Sequence, residues 1–455
     1  MNDPEPKVRK AARFVKLEVS GAGNAPEGVD GRMPTIVQKF GGTSVSTPER
    51  IMRCAHRVLE ARRAGNRVAV VVSAMGHTTD ELIDLAAKVT PNPSPREMDM
   101  LMATGEQVSV ALMSMALHSL GCDAVSLTGG QAGIDTDAAY RKARIARIDH
   151  ERLERILGAG GVPVVCGFQG VAPNGDITTL GRGGSDTTAV ALAAALDVAA
   201  DGGTCEIYTD VDGVYTADPR LVPSAAKLRH ISYEEMLELA SVGAAVMHPR
   251  AVLFGEKFGV PIHVRHSQKP DLGTLIVPEE QIMEDIVVVG CALKPDLGRV
   301  SLKGLPRGAG IQAQIFEPIA AANISVDDIV QTEFGDATTI AFTVEHGDIA
   351  DVKSVCQDLL GRLGRGEIDV EVGLAKISAV GTGMKSHAGV ASRMFRALAE
   401  AGVPIHNITT SEIKISAIVD RQHGERGLQA VHDAFGLAAG DAVTAAMQSS
   451  GRGRR

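Results

Sequence analysis

Short β-rich runs alternate with helical segments along most of the chain. The runs at 35–39 and 67–72 are rich in valine and isoleucine, and a helix is predicted between them. Thr47 is suited to the N-cap of this helix, Pro48 to its first position and Gly65 to its end. Further predicted strands cover 124–127, 162–167 and 205–209, and predicted helices cover 97–120 and 149–157. This alternation indicates an α/β fold with a mainly parallel sheet flanked by helices.

Glycine-rich or polar clusters follow four of these strands, at residues 39–42, 73–76, 129–131 and 209–210. Ligands of parallel α/β sheets bind beyond the carboxyl ends of the strands. We therefore expect the four clusters to converge at one edge of the sheet and to surround a ligand there.

The C-terminal third contains an internal repeat with an offset of 79 residues. Residues 309–311 align with 388–390, 315–316 with 394–395, and Ile324, Val326 and Ile329 with Val403, Ile405 and Ile408. Each unit has the pattern of a strand, a glycine loop, a helix and two further strands. The last of these strands is predicted at 338–344 in the first unit and at 412–419 in the second. The pattern predicts two small α+β sandwiches.

Size and composition exclude several classes of protein. A chain of 455 residues is long enough for two to four domains, and its 44% apolar and 22% charged residues are typical of a soluble globular protein. A net charge of -9 argues against nucleic-acid binding. The six cysteines form no C-x-x-C pair, which favours a reducing, cytoplasmic setting. Residues 1–33 are polar and predict a loose tail, and no membrane-spanning segment is expected.

The strongest local motif is the run of residues 39–44, KFGGTS. A lysine at a strand end followed by Gly41 and Gly42 lets a cation and backbone N–H groups approach one phosphate. The alternative is that the glycine pair makes only a tight turn. The run does not match a Walker A loop, which requires G-x-x-x-x-G-K-[ST].

A second cluster, residues 178–188 (TTLGRGGSDTT), leads into an apolar helix that is predicted to run to about residue 199. Arg182, held in a glycine-rich loop, is suited to bidentate recognition of a substrate carboxylate. Ser185 and Asp186 are also good helix caps, so capping alone explains their presence equally well.

Two further motifs each have a structural and a functional interpretation. Residues 104–107 (TGEQ) are expected to open a helix, where Glu106 either favours the helix dipole or pairs with a substrate ammonium. Residues 209–220 are rich in turn formers and predict a surface loop. Tyr215 and Arg220 lie within it, and we interpret the loop as facing a nucleotide.

Taken together, these motifs resemble those of the aspartate kinases in order and spacing, from residue 34 to about residue 445. The resemblance rests on 37–45 (VQKFGGTSV), 104–110 (TGEQVSV), 126–134 (SLTGGQAGI), 178–188 (TTLGRGGSDTT), 207–220 (IYTDVDGVYTADPR), 231–240 (ISYEEMLELA), 248–250 (HPR), 323–331 (NISVDDIVQ) and 380–395 (VGTGMKSHAGVASRMF). It implies an amino-acid-kinase domain at 34–278 and two ACT domains, which bind effector amino acids, at 284–367 and 373–446. The remaining residues, 1–33 and 447–455, would be tails.

The resemblance also implies roles for individual residues. Lys39 and Asp186 would be catalytic, with Asp186 orienting the lysine. Residues implied to contact the aspartate substrate are Thr43, Ser44, Thr79, Glu106, Arg182 and Ser185. Residues implied to contact the nucleotide are Lys39, Gly41, Gly42, Ser73, Thr209, Asp210, Tyr215 and Arg220. Residues implied to contact an effector are Asp327, Gln331, Asn407 and Ile408.

The implied reaction is the ATP- and Mg²⁺-dependent phosphorylation of L-aspartate to L-aspartyl 4-phosphate, the entry to lysine, threonine, methionine and diaminopimelate synthesis. The effector would be threonine, lysine or both, and the ACT domains would pair subunits into a homo-oligomer. On this interpretation the C-terminal third regulates the enzyme and takes no part in catalysis. No protein metal site, nucleic-acid partner or membrane contact is expected.

Two departures from the family pattern leave rival interpretations open. Ala245 stands where these kinases usually carry a lysine near the nucleotide phosphates, and Arg307 replaces an acid suited to an effector ammonium. The first rival is a kinase for glutamate or acetylglutamate, against which the paired ACT units and TGEQ count. The second is a catalytically weakened amino-acid sensor, against which the retained Lys39, Glu106, Arg182 and Asp186 count.

Overall fold

The computed structural model describes residues 33–243, 246–281, 287–322 and 324–438. Ala245, Asn323 and, apart from Met33, both predicted tails lie outside these ranges. The strands of the N-terminal part are β1 (Thr35–Phe40), β2 (Arg67–Val72), β3 (Ala124–Leu127), β4 (Ile134–Thr136), β5 (Ile145–Ile148), β6 (Val162–Cys166), β7 (Gln169–Val171), β8 (Ile177–Thr179), β9 (Thr204–Thr209), β10 (His230–Ser232), β11 (Ile262–His266) and β12 (Thr274–Val277).

The helices of this part begin where the sequence provides a cap. The Thr47 side chain accepts a hydrogen bond from the Arg50 N–H at 3.3 Å, and Pro48 occupies the first position, as predicted. Ser232 and Glu235 form a capping box on α6. The helices are α1 (Pro48–Arg63), α2 (Thr78–Val89), α3 (Pro95–Ser119), α4 (Glu151–Gly158), α5 (Gly184–Ala195), α6 (Tyr233–Ser241) and α7 (Pro249–Phe258).

The main sheet has eight strands in the order β10-β12-β11-β9-β1-β2-β6-β3. Strand β1 pairs in parallel with both β2 and β9, and β12 runs antiparallel to β11. The predicted α/β class is therefore confirmed, and the five predicted strands are found within one residue of their expected ends. A second sheet, β5-β4-β7-β8, was not predicted, because strands of three or four residues are too short to show a period.

Alternation along β1 decides which side chains face which helices. Val37 belongs to the apolar core on one face of the sheet, with residues of α5, α6 and α7, whereas Phe40 belongs to the core on the other face, with residues of α1 and α3. Lys39 shares the face of Val37. The alternation therefore directs the only charged side chain of β1 toward α5.

Helix α3 corrects the expectation that no segment is apolar enough to span a membrane. By length and composition this 25-residue helix passes that test. More than half of its apolar window is buried inside the protein, where Met113 and Leu117 are fully covered. This burial is typical of a core helix.

The C-terminal part contains the predicted repeat. Its strands are β13 (Gly290–Pro306), β14 (Asp327–Phe334), β15 (Ala337–Glu345), β16 (Glu367–Val380), β17 (Asn407–Thr410) and β18 (Lys414–Asp420). Its helices are α8 (Ile311–Ala321), α9 (Ile349–Leu363), α10 (Val390–Glu400) and α11 (Gly424–Ala434). Helices α8 and α10 keep the offset of 79 residues, and each follows a left-handed glycine, Gly310 (φ 94°) or Gly389 (φ 93°).

The two repeats share one sheet instead of forming separate sandwiches. Strands β13 and β16 pair antiparallel along most of their length, giving the order β14-β15-β13-β16-β18-β17. Each unit also ends in a helix, α9 or α11, that the pattern did not predict. We call the segment from β13 to α9 the first ACT unit and the segment from β16 to α11 the second ACT unit.

Candidate active site

The loops that follow the parallel strands meet at one edge of the main sheet. Three backbone hydrogen bonds join them: from Gly41 to the carbonyl of Tyr208 (3.1 Å), from Ser73 to that of Phe40 (3.1 Å) and from Gly167 to that of Val72 (3.0 Å). The expected convergence is therefore found for the predicted clusters after β1, β2 and β9, and the loop after β6, which was not predicted to take part, joins them. The fourth predicted cluster, residues 129–131, instead packs against β7, where a Cβ on Gly129 would lie 2.2 Å from the Gln169 carbonyl oxygen.

The centre of this edge is an ion pair between Lys39 and Asp186. Lys39 Nζ lies 2.7 Å from Asp186 Oδ1, and their side chains are only 11% and 14% exposed. Asp186 is in the first turn of α5, where the helix dipole favours a negative charge. The cap of α5 is Gly183, in a left-handed conformation (φ 69°), so the interpretation of Ser185 and Asp186 as N-caps is wrong.

The loop after β1 leaves no room for a side chain at its second glycine. A Cβ on Gly42 would lie 2.7 Å from the carbonyl oxygen of Ala74, and the Gly76 N–H donates to the Gly42 carbonyl at 3.0 Å. Gly41 caps a short 3₁₀ helix that begins at Gly42 and ends at Val45. The close approach keeps the backbone of this loop next to the Lys39 ammonium, in an arrangement suited to a phosphate.

Glu106 lies in the middle of α3, so the expectation that residues 104–107 open a helix is wrong. Its Oε1 accepts a hydrogen bond from the Ala74 N–H at 3.2 Å, one residue after Ser73. Its Oε2 is buried and has no hydrogen-bond partner within the described part of the chain. Burial raises the pKa of the Glu106 carboxyl to about 8, against the opposing effect of two backbone hydrogen bonds. An ammonium that reached this carboxyl would favour its ionised form.

The loop that carries Arg182 is held at both ends by side chains to which the motifs assign no role. Arg250 donates to the Leu180 carbonyl at 2.9 Å, and the His248 ring lies so close to Gly183 that a Cβ there would approach Cγ to 2.1 Å. The Arg182 side chain itself is exposed. Sequence analysis used the motif 248–250 (HPR) only as evidence of the family resemblance. It did not predict that His248 and Arg250 contact the loop that carries Arg182.

Asp99 is a second anchor that sequence reasoning missed. It is fully buried on α3 and accepts hydrogen bonds from the Thr179 N–H (2.9 Å) and the Thr179 hydroxyl (2.7 Å). It also accepts from the Arg141 N–H. The sequence signal that could have identified Asp99 is its position as an acidic residue among the apolar positions of a helix. Asp99 fixes the end of β8, three residues before Arg182.

The remaining residues implied to contact the substrate lie at or beside this edge. Thr43 is exposed, whereas Ser44 is buried and its Oγ lacks a hydrogen-bond partner among residues that the structure describes. Ser73 directly follows β2 and Thr79 lies in the first turn of α2, and both are half-buried. Ser185 is buried against Gly167, where a Cβ would lie 2.7 Å from that of Ser185.

The loop after β9 is stabilised by its own side chains. The Thr209 hydroxyl donates to Asp210 at 3.1 Å, and the Tyr215 hydroxyl donates to Asp212 at 3.0 Å. Arg220 forms an ion pair with Asp218 at 2.6 Å, although its side chain is 87% exposed. Thr209 and Asp210 adjoin the glycine loop through Tyr208, whereas Arg220 lies farther along a hairpin.

The residues implied to contact an effector lie on the two edge strands of the C-terminal sheet. Asp327 and Gln331 are on β14, and Asn407 and Ile408 are on β17. The start of β14 and strand β17 are in contact, since the Thr409 hydroxyl donates to Asp328 Oδ1 at 2.9 Å. Gln331 accepts from the Gln312 amide at 2.8 Å.

Two family models match the chain. One, described as the amino acid kinase family, covers residues 34–266, and the other, an ACT domain, covers residues 377–435. Among individual proteins, the aspartokinase of Geobacillus stearothermophilus is 49% identical over 407 residues, which are 89% of this chain and 98% of that protein. The aspartokinase of Pseudomonas aeruginosa is 50% identical over 408 residues, with the same two coverages.

Solved structures give the same picture. E. coli aspartokinase III in complex with aspartate and ADP (R-state) superposes with a TM-score of 0.73 at 28% identity, covering 88% of this chain and 99% of the other. The same enzyme in complex with lysine and aspartate (T-state) gives a TM-score of 0.70 at 28% identity, covering 88% and 98%. The similarity therefore spans the sheet edge around Lys39 as well as the C-terminal repeat.

Proposed function

The chain belongs to the aspartate kinase family, and from this premise we propose that it transfers the γ-phosphoryl group of ATP to the side-chain carboxylate of L-aspartate. The observation that carries the proposal is the Lys39–Asp186 ion pair. It lies beside a glycine loop that a side chain would obstruct, on the sheet edge that also holds the buried carboxyl of Glu106. Neither a protein nucleophile nor a strong base is required for this reaction.

Lys39, Gly41 and Gly42 hold the transferred phosphoryl group in this proposal. The ammonium and the backbone N–H groups neutralise the negative charge that develops on the phosphoryl oxygens in the transition state. Asp186 keeps the Lys39 ammonium in place. Ser73, Thr209, Asp210, Tyr215 and Arg220 contact the rest of the nucleotide.

Glu106 and Arg182 bind the two ends of the aspartate backbone. The buried Oε2 of Glu106, which has no hydrogen-bond partner among the residues described, is suited to the α-ammonium, and the exposed guanidinium of Arg182 to the α-carboxylate. Thr43, Ser44, Thr79 and Ser185 supply further polar contacts. The side-chain carboxylate then points toward the glycine loop, because Ala74 links Glu106 to Gly42.

The chemical step is an in-line displacement. An oxygen of the aspartate side chain, already ionised at neutral pH, attacks the γ-phosphorus while the bond to the β,γ-bridging oxygen breaks and ADP leaves. The product is the acyl phosphate L-aspartyl 4-phosphate. The glycine loop and Lys39 fit a nucleotide phosphate, and Mg²⁺ carried by those phosphates would supply additional charge neutralisation.

The wider biological role follows from this reaction and remains part of the proposal. The enzyme would act in the cytoplasm at the first step of lysine, threonine, methionine and diaminopimelate synthesis. Residues 34–278 form the catalytic domain, and residues 284–367 and 373–446 form ACT domains that bind lysine, threonine or both. Asp327, Gln331, Asn407 and Ile408 contact the effector, and the ACT domains pair subunits in a homo-oligomer. The E. coli enzyme with bound lysine supports the choice of effector class.

An acyl-phosphate trap tests the proposed reaction. Purified protein is incubated with Mg-ATP, hydroxylamine and either aspartate or glutamate, and the resulting hydroxamate is measured with and without lysine and threonine. We expect hydroxamate from aspartate only, and inhibition by at least one of the two amino acids. Product from glutamate would support the rival substrate, and no product from either acid would support the weakened sensor.

A further inference from the structure

The loop after β9 is attached to both parts of the protein. At its start, Val214 is buried in the core of the catalytic part, and its N–H donates to the Thr274 hydroxyl at 2.8 Å. A hairpin then begins with the bridge between Tyr215 and Lys227. Tyr215 therefore lies at the point where the chain leaves the catalytic core.

The remainder of the hairpin packs into the second ACT unit. Ala217, Val222 and Ala225 belong to the same apolar core as Leu428 and Val431 of α11. Two backbone contacts adjoin this packing: the N–H of Cys291, at the start of β13, donates to the Thr216 carbonyl at 2.7 Å, and Ala225 forms a bridge with Ala438, which follows α11. Apolar burial thus joins the predicted nucleotide loop to the regulatory repeat.

The Thr216 hydroxyl is the polar centre of this junction. It accepts a hydrogen bond from the Ala226 N–H (2.9 Å), donates to the Leu437 carbonyl (3.1 Å) and lies 3.0 Å from Nε2 of His432. Because a carbonyl can only accept, the single hydroxyl proton goes to Leu437, and Nε2 of His432 is the donor to Thr216. His432 is fully buried on α11, and burial lowers its pKa, which favours the neutral ring.

We propose that Thr216 and His432 are positioning residues for the nucleotide site, so that the second ACT unit is a structural part of that site. The hydrogen bond from His432 fixes the start of the hairpin, and the hairpin holds Tyr215 and Arg220 on either side of Thr216. This inference rests on the proposed function, which assigns those two side chains to the nucleotide.

Single substitutions in the full-length enzyme test the inference. Thr216→Val keeps the shape of the side chain but removes the hydroxyl and its three hydrogen bonds, and we expect it to raise the KM for ATP by roughly two- to tenfold. The KM for aspartate should stay within about twofold of wild type. Thr216→Ser should restore the KM for ATP. The matched control is Thr338→Val, which alters a buried threonine on β15 of the first ACT unit.

Variants of His432 give the second arm of the test. His432→Leu should raise the KM for ATP as Thr216→Val does, whereas His432→Gln, which retains an N–H donor, should not. The double variant Thr216→Val/His432→Leu should be no worse than Thr216→Val alone, because that substitution already removes the bond that His432→Leu breaks. Fully additive effects, or lower melting temperatures with an unchanged KM for ATP, would overturn the inference.

Arg220→Ala separates failure of this inference from failure of the proposed function. If it leaves the KM for ATP unchanged, the assignment of the hairpin to the nucleotide is wrong, and the inference falls with it. If it raises that KM while Thr216→Val does not, the nucleotide assignment stands and only the positioning role is refuted.

Discussion

Among the described residues, two lysines are buried, and each is paired with aspartate. Lys39 is the last residue but one of the parallel strand β1 and contacts the single carboxylate of Asp186 beside the glycine loop. Lys376 lies in the middle of antiparallel β16 and contacts both Asp327 and Asp328, the latter at 3.1 Å. Both pairs join a buried lysine to aspartate, but the groups that surround the two lysines differ.

On its buried side, toward Asp328, the ion pair of Lys376 is complete without a ligand. Asp328 also accepts hydrogen bonds from the hydroxyls of Thr343 (3.1 Å) and Thr409 (2.9 Å), which come from both ACT units. Around Lys39, by contrast, buried polar atoms of Ser44 and Glu106 have no partner within the described residues. A saturated buried pair indicates a structural joint, whereas an ion pair next to unpaired polar atoms indicates a binding site.

The largest expected effect is that of Lys39→Ala, which removes the cation at the transferred phosphoryl group. We expect kcat to fall by about 10³-fold or more, since charge stabilisation is the main contribution to phosphoryl transfer. Binding of lysine or threonine, measured by calorimetry, should be unchanged. Retained turnover would show that Lys39 is structural like Lys376, and loss of effector binding would refute the separation of the two functions.

The converse prediction concerns Lys376→Met. The substitution leaves the Asp328 carboxylate buried without its cation, and we expect the free energy of unfolding to fall by about 3 kcal/mol. Because Lys376 lies in the C-terminal sheet and the glycine loop follows a strand of the main sheet, kcat should stay within about twofold of wild type below the new melting temperature. Denaturant unfolding and initial rates measure the two quantities. A large drop in kcat with unchanged stability would reverse the roles that we assign to the two lysines.

How far the sequence predicts these features depends on how local their causes are. Lys39 is recognisable because the strand end and Gly41–Gly42 are adjacent to it in sequence. The cause of the error at Glu106 is tertiary: Gly105 looks like a helix boundary, but it lies within α3, where a Cβ would approach that of Ala74 to 2.9 Å. The sequence pattern does not predict the ion pairs of Lys376, because a single charged residue in a strand gives no indication of its two carboxylate partners about fifty positions away.

The same limit applies to the architecture of the repeat. The offset of 79 residues predicts two equivalent units, and the helices α8 and α10 bear this out. It does not reveal that β13 and β16 pair with each other to form one sheet, since that pairing is between the units. Nor does it show Thr216 packed against α11, so the sequence suggests a cleaner separation of catalysis and regulation than the packing supports.

Glu106 extends the comparison, because it is a buried carboxyl that forms no ion pair with any residue that the structure describes. Its pKa rises from 4.5 in the unfolded chain to about 8 in the fold, so the folded state binds the proton more tightly and loses stability as pH rises across this window. Glu106→Gln removes this dependence, and its stability relative to wild type should therefore increase by on the order of 2 kcal/mol between pH 5 and 7. If Glu106 also binds the substrate ammonium, the same variant should raise the KM for aspartate about tenfold and leave the KM for ATP unchanged. A variant that gains stability but keeps the wild-type KM for aspartate would mark Glu106 as a buried acid without a role in binding.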